Sequence, residues 1–294
     1  MHCPPAKQPD RFEARELRKL TNIAQAAPAV PVRASWRGYL PLFALPTAAI
    51  LLSNTMPPWA FMWTLSFGIF AGLKCMTWWK AQQSSSLCAS RSIAYLVAWP
   101  GMDAAAFLDS KVRVAKPGLR QWLEAFGKTA VGFILLWVLA RRLPVELPLL
   151  RGWTGLLGLI FLLHFGSFHL IALFWQAMGI DAQPIMSKPI LSRSLSEFWG
   201  RRWNLGFRQL AHEFIFLPLH RRFGVATTGF LVFILSGLIH DLVISVPARA
   251  GYGLPTAYFA IQGFGVAIER SALACIIHQR GIVSRRGVGS EGER

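Results

Sequence analysis

The stretch RSLSEFWGRRWNLGFRQLAHEFIFLPLHRRFGVATTGFLVFILSGLIHDLVISVP, Arg193 to Pro247, decides the fold. Its first part is polar, aromatic and basic. Its last part is an apolar run long enough to cross a bilayer, which takes about 20 residues at roughly 1.5 Å each. His240 and Asp241 stand inside that run. The hydrocarbon core hydrates neither an imidazole nor a carboxylate, so a costly pair there points to chemistry, transport or a buried structural contact.

The rest of the 294-residue chain is equally apolar. It is 53% hydrophobic and 15% charged, with a mean hydropathy of +0.40, where soluble domains carry about a quarter charged residues. The expected class is all-α: a polytopic bundle of about six to eight membrane helices with re-entrant and interfacial amphipathic helices. The net charge is +17 and the pI about 10.9. Lys and Arg sit mostly between the apolar runs, as the positive-inside pattern requires, and no nucleic-acid-binding motif is present. Cys3, Cys75, Cys88 and Cys275 lack CxxC spacing, which suggests neither a disulfide framework nor a zinc site. The charged N-terminus has no short apolar core before a cleavage site, so no signal peptide is expected.

Three regions follow: a polar arm over 1–35, one membrane domain over 36–279 and a flexible basic tail over 280–294. The first crossing is expected at Gly38–Met56 and the second at Trp59–Trp79, joined at Pro57-Pro58. Arg33 and Arg37 flank one end, Lys74, Lys80 and Arg91 the other, which places both flanks in the cytoplasm. SIAYLVAWPGMDAAAFL, residues 92–108, is too short to span and is broken at Pro100-Gly101, so it reads as re-entrant or interfacial. Further crossings are expected at Trp122–Ala140, Trp153–Met178, Val225–Val246 and Tyr252–Ile277. The loop RRLPVELPLLRG, residues 141–152, puts three arginines on the outer side, against the rule.

Asp181–Gly224 is the longest stretch without a spanning run and the richest in arginine. Ser194 or Ser196 is expected to cap a helix into FWGRRWNL. From Leu205, the residues Phe207, Leu210, Phe214 and Leu217 recur at three- and four-residue steps, with Arg208 and His212 on another face and Pro218 near the end. That is an amphipathic helix at the membrane surface. Trp199 and Trp203, four apart, fit interfacial aromatics, and a plain membrane anchor accounts for all of this except the amide of Asn204.

His240 lies about 15 residues beyond Val225, roughly 22 Å along a helix. An imidazole is a suitable general base for a hydroxyl proton, although a histidine bonded to a neighbouring carbonyl would look the same in sequence. Asp241 is turned about 100° from it and is open to pairing with Arg249 or facing water. His164 and His169 are five apart and share no face well, so they make no metal pair. HExxH, HxxHH, GxSxG and a phosphate loop ending GK[ST] are all absent.

FWGRRWNL followed about three dozen residues later by SGLIHD, with YLVAWPGMD (Tyr95–Asp103) upstream, resembles the wax-synthase-like branch of the membrane-bound O-acyltransferase superfamily. The resemblance implies transfer of an acyl group from acyl-CoA to the hydroxyl of a lipophilic alcohol, part of lipid metabolism. It places Asn204 and His240 at the paired active-site positions. Arg201, Arg202, Arg208 and Trp203 then lie where CoA would arrive from the cytoplasm, and guanidinium suits phosphate. It implies no cofactor and no metal, with acyl-CoA as co-substrate. The partners expected are acyl-CoA, the alcohol and membrane lipids, in the cytoplasmic membrane with both termini cytoplasmic. Two other classes stay open on the residues alone: a transporter or proton path through His240, Asp241 and His164, and a non-catalytic member of the same fold. No internal repeat with interrupted helices favours the transporter.

Overall fold

Apolar runs without backbone competitors become helices, because only a helix satisfies its own peptide groups in lipid. The computed structural model describes residues 36–82, 88–112 and 114–288; beyond Ser271 it describes backbone only. The 1–35 arm, most of the polar loop after Gln82 and residues 289–294 lie outside the described residues. Among the described residues every regular element is helical, so the all-α expectation is borne out.

In chain order these are α1 (Leu40–Leu51), α2 (Pro58–Gln82), α3 (Ala89–Ala98) and α4 (Ala104–Leu108). Next come α5 (Leu119–Arg142) and α6 (Pro148–Ala177), α7 (residues 195–202) and α8 (residues 205–223). The last two are α9 (Val225–Ala248) and α10 (Leu254–Val288). The described part of α10 runs on into the expected tail.

Four helices, α2, α5, α6 and α9, are long and apolar enough to cross a membrane among the described residues. The expected six to eight is thereby corrected downward. The first expected crossing shrinks to α1, whose 12 residues rise only about 18 Å against a core of about 30 Å. The sixth falls in α10, whose side chains are described only to Ser271.

Lipid offers no hydrophobic drive between helices, so they pair where small residues allow close approach. A Cβ on Gly132 of α5 would stand 2.3 Å from the Leu162 nitrogen of α6, and one on Gly237 of α9 would stand 2.6 Å from Thr256 Cα of α10. Outer faces keep large apolar side chains exposed, Leu119, Leu149 and Val97 among them, as a lipid-facing surface does.

The broken segment 92–108 is the hub of the protein core. Tyr95, Trp99, Phe107 and Leu108 are buried there against Ala172, Ile180 and Ala182. Lys74 is buried too, donating from Nζ to the Gly101 carbonyl (2.8 Å) and standing 3.1 Å over the Tyr95 ring. It is therefore not a flanking charge, as the topology rule suggested, but a clamp on the Pro100-Gly101 break. Burial pushes the Tyr95 phenol up, and its oxygen bonds Thr77 at 2.7 Å.

Candidate active site

Ser194 caps α7 by accepting from Glu197 N at 3.0 Å. A carboxylate from α10 completes the cap: Glu269 accepts from Leu195 N (2.7 Å) and Ser196 N (2.8 Å). The negative charge suits the positive helix end and fastens FWGRR to α10. Gly265 makes room, since a Cβ there would meet Leu195 Cδ1 at 2.6 Å. The helix stops at Arg202; Trp203 is extended and Asn204 is left-handed at φ 41°.

The left-handed turn explains the amide at 204. Asn is among the few non-glycine residues that enter this region readily. Its Oδ1 caps α8 by accepting from Phe207 N (3.2 Å), and its own N–H donates to Met186 Sδ (3.2 Å). With Oδ1 committed to the cap, the amide NH2 is the group left for a ligand. Gly206 packs this turn onto the Gly101–Met102 break, where a Cβ would meet Met102 N at 3.4 Å. The upstream YLVAWPGMD and FWGRRWNL motifs are thus neighbours in space.

Arg202 is spent on structure. Its guanidinium pairs with Glu197 at 2.5 Å and reaches the carbonyls of Ser187 and Lys188 at 3.4 Å. The Arg193 backbone N–H and this guanidinium hold the Glu197 carboxyl below its usual range. Arg201 is exposed and Arg208 half-buried. The two tryptophans are engaged within the protein. Trp199 packs inward on Phe233 (5.6 Å) and Phe259 (5.7 Å), and its Nε1 donates to Gln262 at 3.1 Å. Trp203 stacks on Phe198 at 5.3 Å and on His164 at 6.2 Å.

His240 closes the apolar part of α9 immediately before the π-helical stretch Asp241–Ser245. Its Nδ1 lies 2.7 Å from the Ser236 carbonyl. A carbonyl only accepts, so Nδ1 is the donor, and in the neutral ring Nε2 is the nitrogen with the lone pair. The ring packs at 4.5 Å on Phe259 and is exposed on the protein surface rather than enclosed. Asp241 serves a different end. It accepts from Gly253 N (2.9 Å), Thr256 N (3.1 Å) and Ser245 Oγ (2.8 Å), and its second oxygen also takes the Thr256 hydroxyl. It caps α10, and neither Arg249 nor His240 is its partner among these bonds.

Asn204 and His240 share no hydrogen bond among the described residues. They are joined by rings: Trp203, Phe198, Trp199, Phe259 and His240 follow one another at 5.3, 5.1, 5.7 and 4.5 Å. His164 joins the group at Trp203, while no ring contact brings His169 in among the described residues. The residues that sequence reading missed are Glu269, Lys74 and Phe259. Each acts across a long separation that no local pattern records.

The fold defines a helical membrane protein, and the comparisons with known proteins specify its kind. Residues 182–261 match the model of the membrane bound O-acyl transferase family. Relatives include a long-chain-alcohol O-fatty-acyltransferase of Simmondsia chinensis, 32% identical over 101 residues, covering 31% of this chain and 29% of its own length. A probable long-chain-alcohol O-fatty-acyltransferase 3 of Arabidopsis thaliana is 28% identical over 158 residues, 46% of each chain. An acyl-CoA–sterol O-acyltransferase 1 of Arabidopsis thaliana is 30% identical over 98 residues, 31% of this chain and 28% of its own length. The resemblance to the family and to its wax-synthase-like branch is borne out. The aligned stretches span less than half the length of these curated relatives. The protein is an integral membrane protein.

Proposed function

We propose that the protein is a membrane-bound O-acyltransferase that moves an acyl group from acyl-CoA to the hydroxyl of a lipophilic alcohol, a long-chain or sterol-like one by analogy with its relatives. One observation carries the reading: His240 has its Nδ1 proton fixed on Ser236 O and Nε2 left as a base, inside the segment that matches the family. Nε2 accepts the hydroxyl proton as the oxygen attacks the thioester carbonyl. The Asn204 amide NH2 is suited to receive the oxyanion that forms. The C–S bond then breaks, and the CoA sulfur leaves with the proton from Nε2. Of the four residues proposed for CoA, Arg201 and Arg208 keep guanidinium available to its phosphates, Trp203 supplies a stacking face, and Arg202 supports the loop beneath them. No metal or further cofactor enters this scheme. The membrane is the cytoplasmic one, with the basic segment between α6 and α9 facing the cytoplasm.

Mass spectrometry of lipids from cells expressing the wild type and His240→Ala tests this. A product ester present only with the wild type is expected, with both proteins inserted at equal level. Wild-type transfer of labelled acyl-CoA by His240→Ala, with a validated alcohol, overturns the role of His240.

A further inference from the structure

The chain of rings ends on an imidazole that acyl transfer, as derived above, does not use. His164 Nδ1 is buried and has no hydrogen-bond partner among the described residues. Buried polar atoms are nearly always paired, and one left unpaired lowers stability. The ring is held in place by packing. It stacks nearly parallel on Trp203 (6.2 Å, 16°) and edge-on to Phe168 (5.5 Å). It lies in the π-helical stretch Phe161–Ser167, a distortion found disproportionately at functional sites. That stretch is pinned from α5, where a Cβ on Gly166 would meet Thr129 Oγ1 at 2.4 Å. A phenyl ring would make the same stacks. The nitrogen is the part of the side chain that the packing leaves without a use, and it sits beside the tryptophan that precedes Asn204.

We propose that His164 is a binding residue for the acyl donor, its Nδ1 hydrogen-bonding an amide or carbonyl of the donor's polar arm next to Asn204. The proposal rests on the acyl-transfer reading. Position selects the donor over the alcohol. Trp203 and Asn204 follow directly on the arginines of the basic segment, whereas the alcohol has a single hydroxyl to place and that hydroxyl is taken by His240.

The test uses the full-length protein in detergent, with palmitoyl-CoA and its unreactive thioether analogue as probes and hexadecanol as acceptor. Without donor, His164→Phe melts at or above the wild-type temperature, because it removes an unpaired polar atom and keeps the stacks. It loses most of the thermal shift given by the thioether analogue. Its KM for palmitoyl-CoA rises about 5–20-fold, the scale of one lost hydrogen bond, while KM for hexadecanol is unchanged. His164→Gln, which restores a polar atom, recovers part of the affinity. Wild-type KM and thermal shift in His164→Phe overturn the proposal alone. So does a melting temperature below wild type without donor, or an equal rise in both KM values. Absence of any thermal shift and any transfer in the wild type overturns the acyl-transfer reading with it.

Discussion

Asn204 has a structural job and a proposed catalytic one, and one substitution can separate them. Its Oδ1 caps α8 and its backbone is left-handed; both are structural, and both are also met by aspartate, whose charge suits a helix N-terminus. Its NH2 is the part suited to an oxyanion. Asn204→Asp is therefore expected to fold with a melting temperature near wild type and to lose acyl transfer by about 10²–10³-fold, the usual loss for one oxyanion donor. Asn204→Ala loses the cap and strains the turn, about 1 kcal/mol for each, so it should melt lower as well. Full transfer by the aspartate variant would reduce Asn204 to a cap. Asp241 makes the converse point. Beside a histidine it suggests a relay in sequence, yet its oxygens are taken up by Gly253, Ser245 and Thr256, and the histidine is oriented instead by a carbonyl of its own helix.

Elements rather than residues set the position of His240, the proposed base. Gly237 stands three residues before His240, and Thr256, which its Cβ would strike at 2.6 Å, is also a partner of Asp241. Gly237→Ala must push α9 and α10 apart by about 1 Å, at a cost of about 1–3 kcal/mol. Displacement of a base by that distance lowers rates by about 10²-fold. Gly229→Ala, where nothing lies within 4 Å, should be neutral or slightly stabilising. Paired melting and transfer assays check both, and wild-type activity in Gly237→Ala would show that this crossing does not position His240. The crossings at α2, α5, α6 and α9 were legible in sequence to within a few residues, because an uninterrupted apolar run leaves the backbone one solution in lipid. The cap of α7 and the break at Pro100-Gly101 were legible for equally local reasons. Pro218 is near the end of α8, as read, but does not stop it: the π-helical stretch His212–Phe216 loosens the turn that its ring would otherwise strike, and the helix continues to Phe223. Likewise, Asn204 and His240 were marked by motif, while Lys74, Glu269 and Phe259 act through tertiary contacts invisible to spacing.

At the scale of the whole molecule, the paired crossings α5 and α6 put the segments before α5 and after α6 on one membrane face. Contacts agree with that placement. Gly206 packs on Gly101–Met102, Lys80 of α2 pairs with Glu213 of α8, and Trp175 Nε1 donates to the Ala98 carbonyl at 3.1 Å. The shared face holds Lys188, Arg193, Arg201, Arg208, Arg221 and Arg222, so the positive-inside rule predicts it to be cytoplasmic, the side proposed for entry of the acyl donor. The loop between α5 and α6, with Arg141, Arg142 and Arg151, is then external in spite of its charge. A membrane-impermeant maleimide decides the matter. A cysteine replacing Glu146, in a protein with its native cysteines changed to serine, should label in intact cells. One replacing Lys188, and the native exposed Cys88 restored singly, should label only after permeabilisation. Labelling of Lys188→Cys in intact cells would invert the molecule and remove the cytoplasmic route proposed for acyl-CoA; labelling of Glu146→Cys and Lys188→Cys alike would mean that the two loops do not lie on opposite faces, and α6 would not be a crossing.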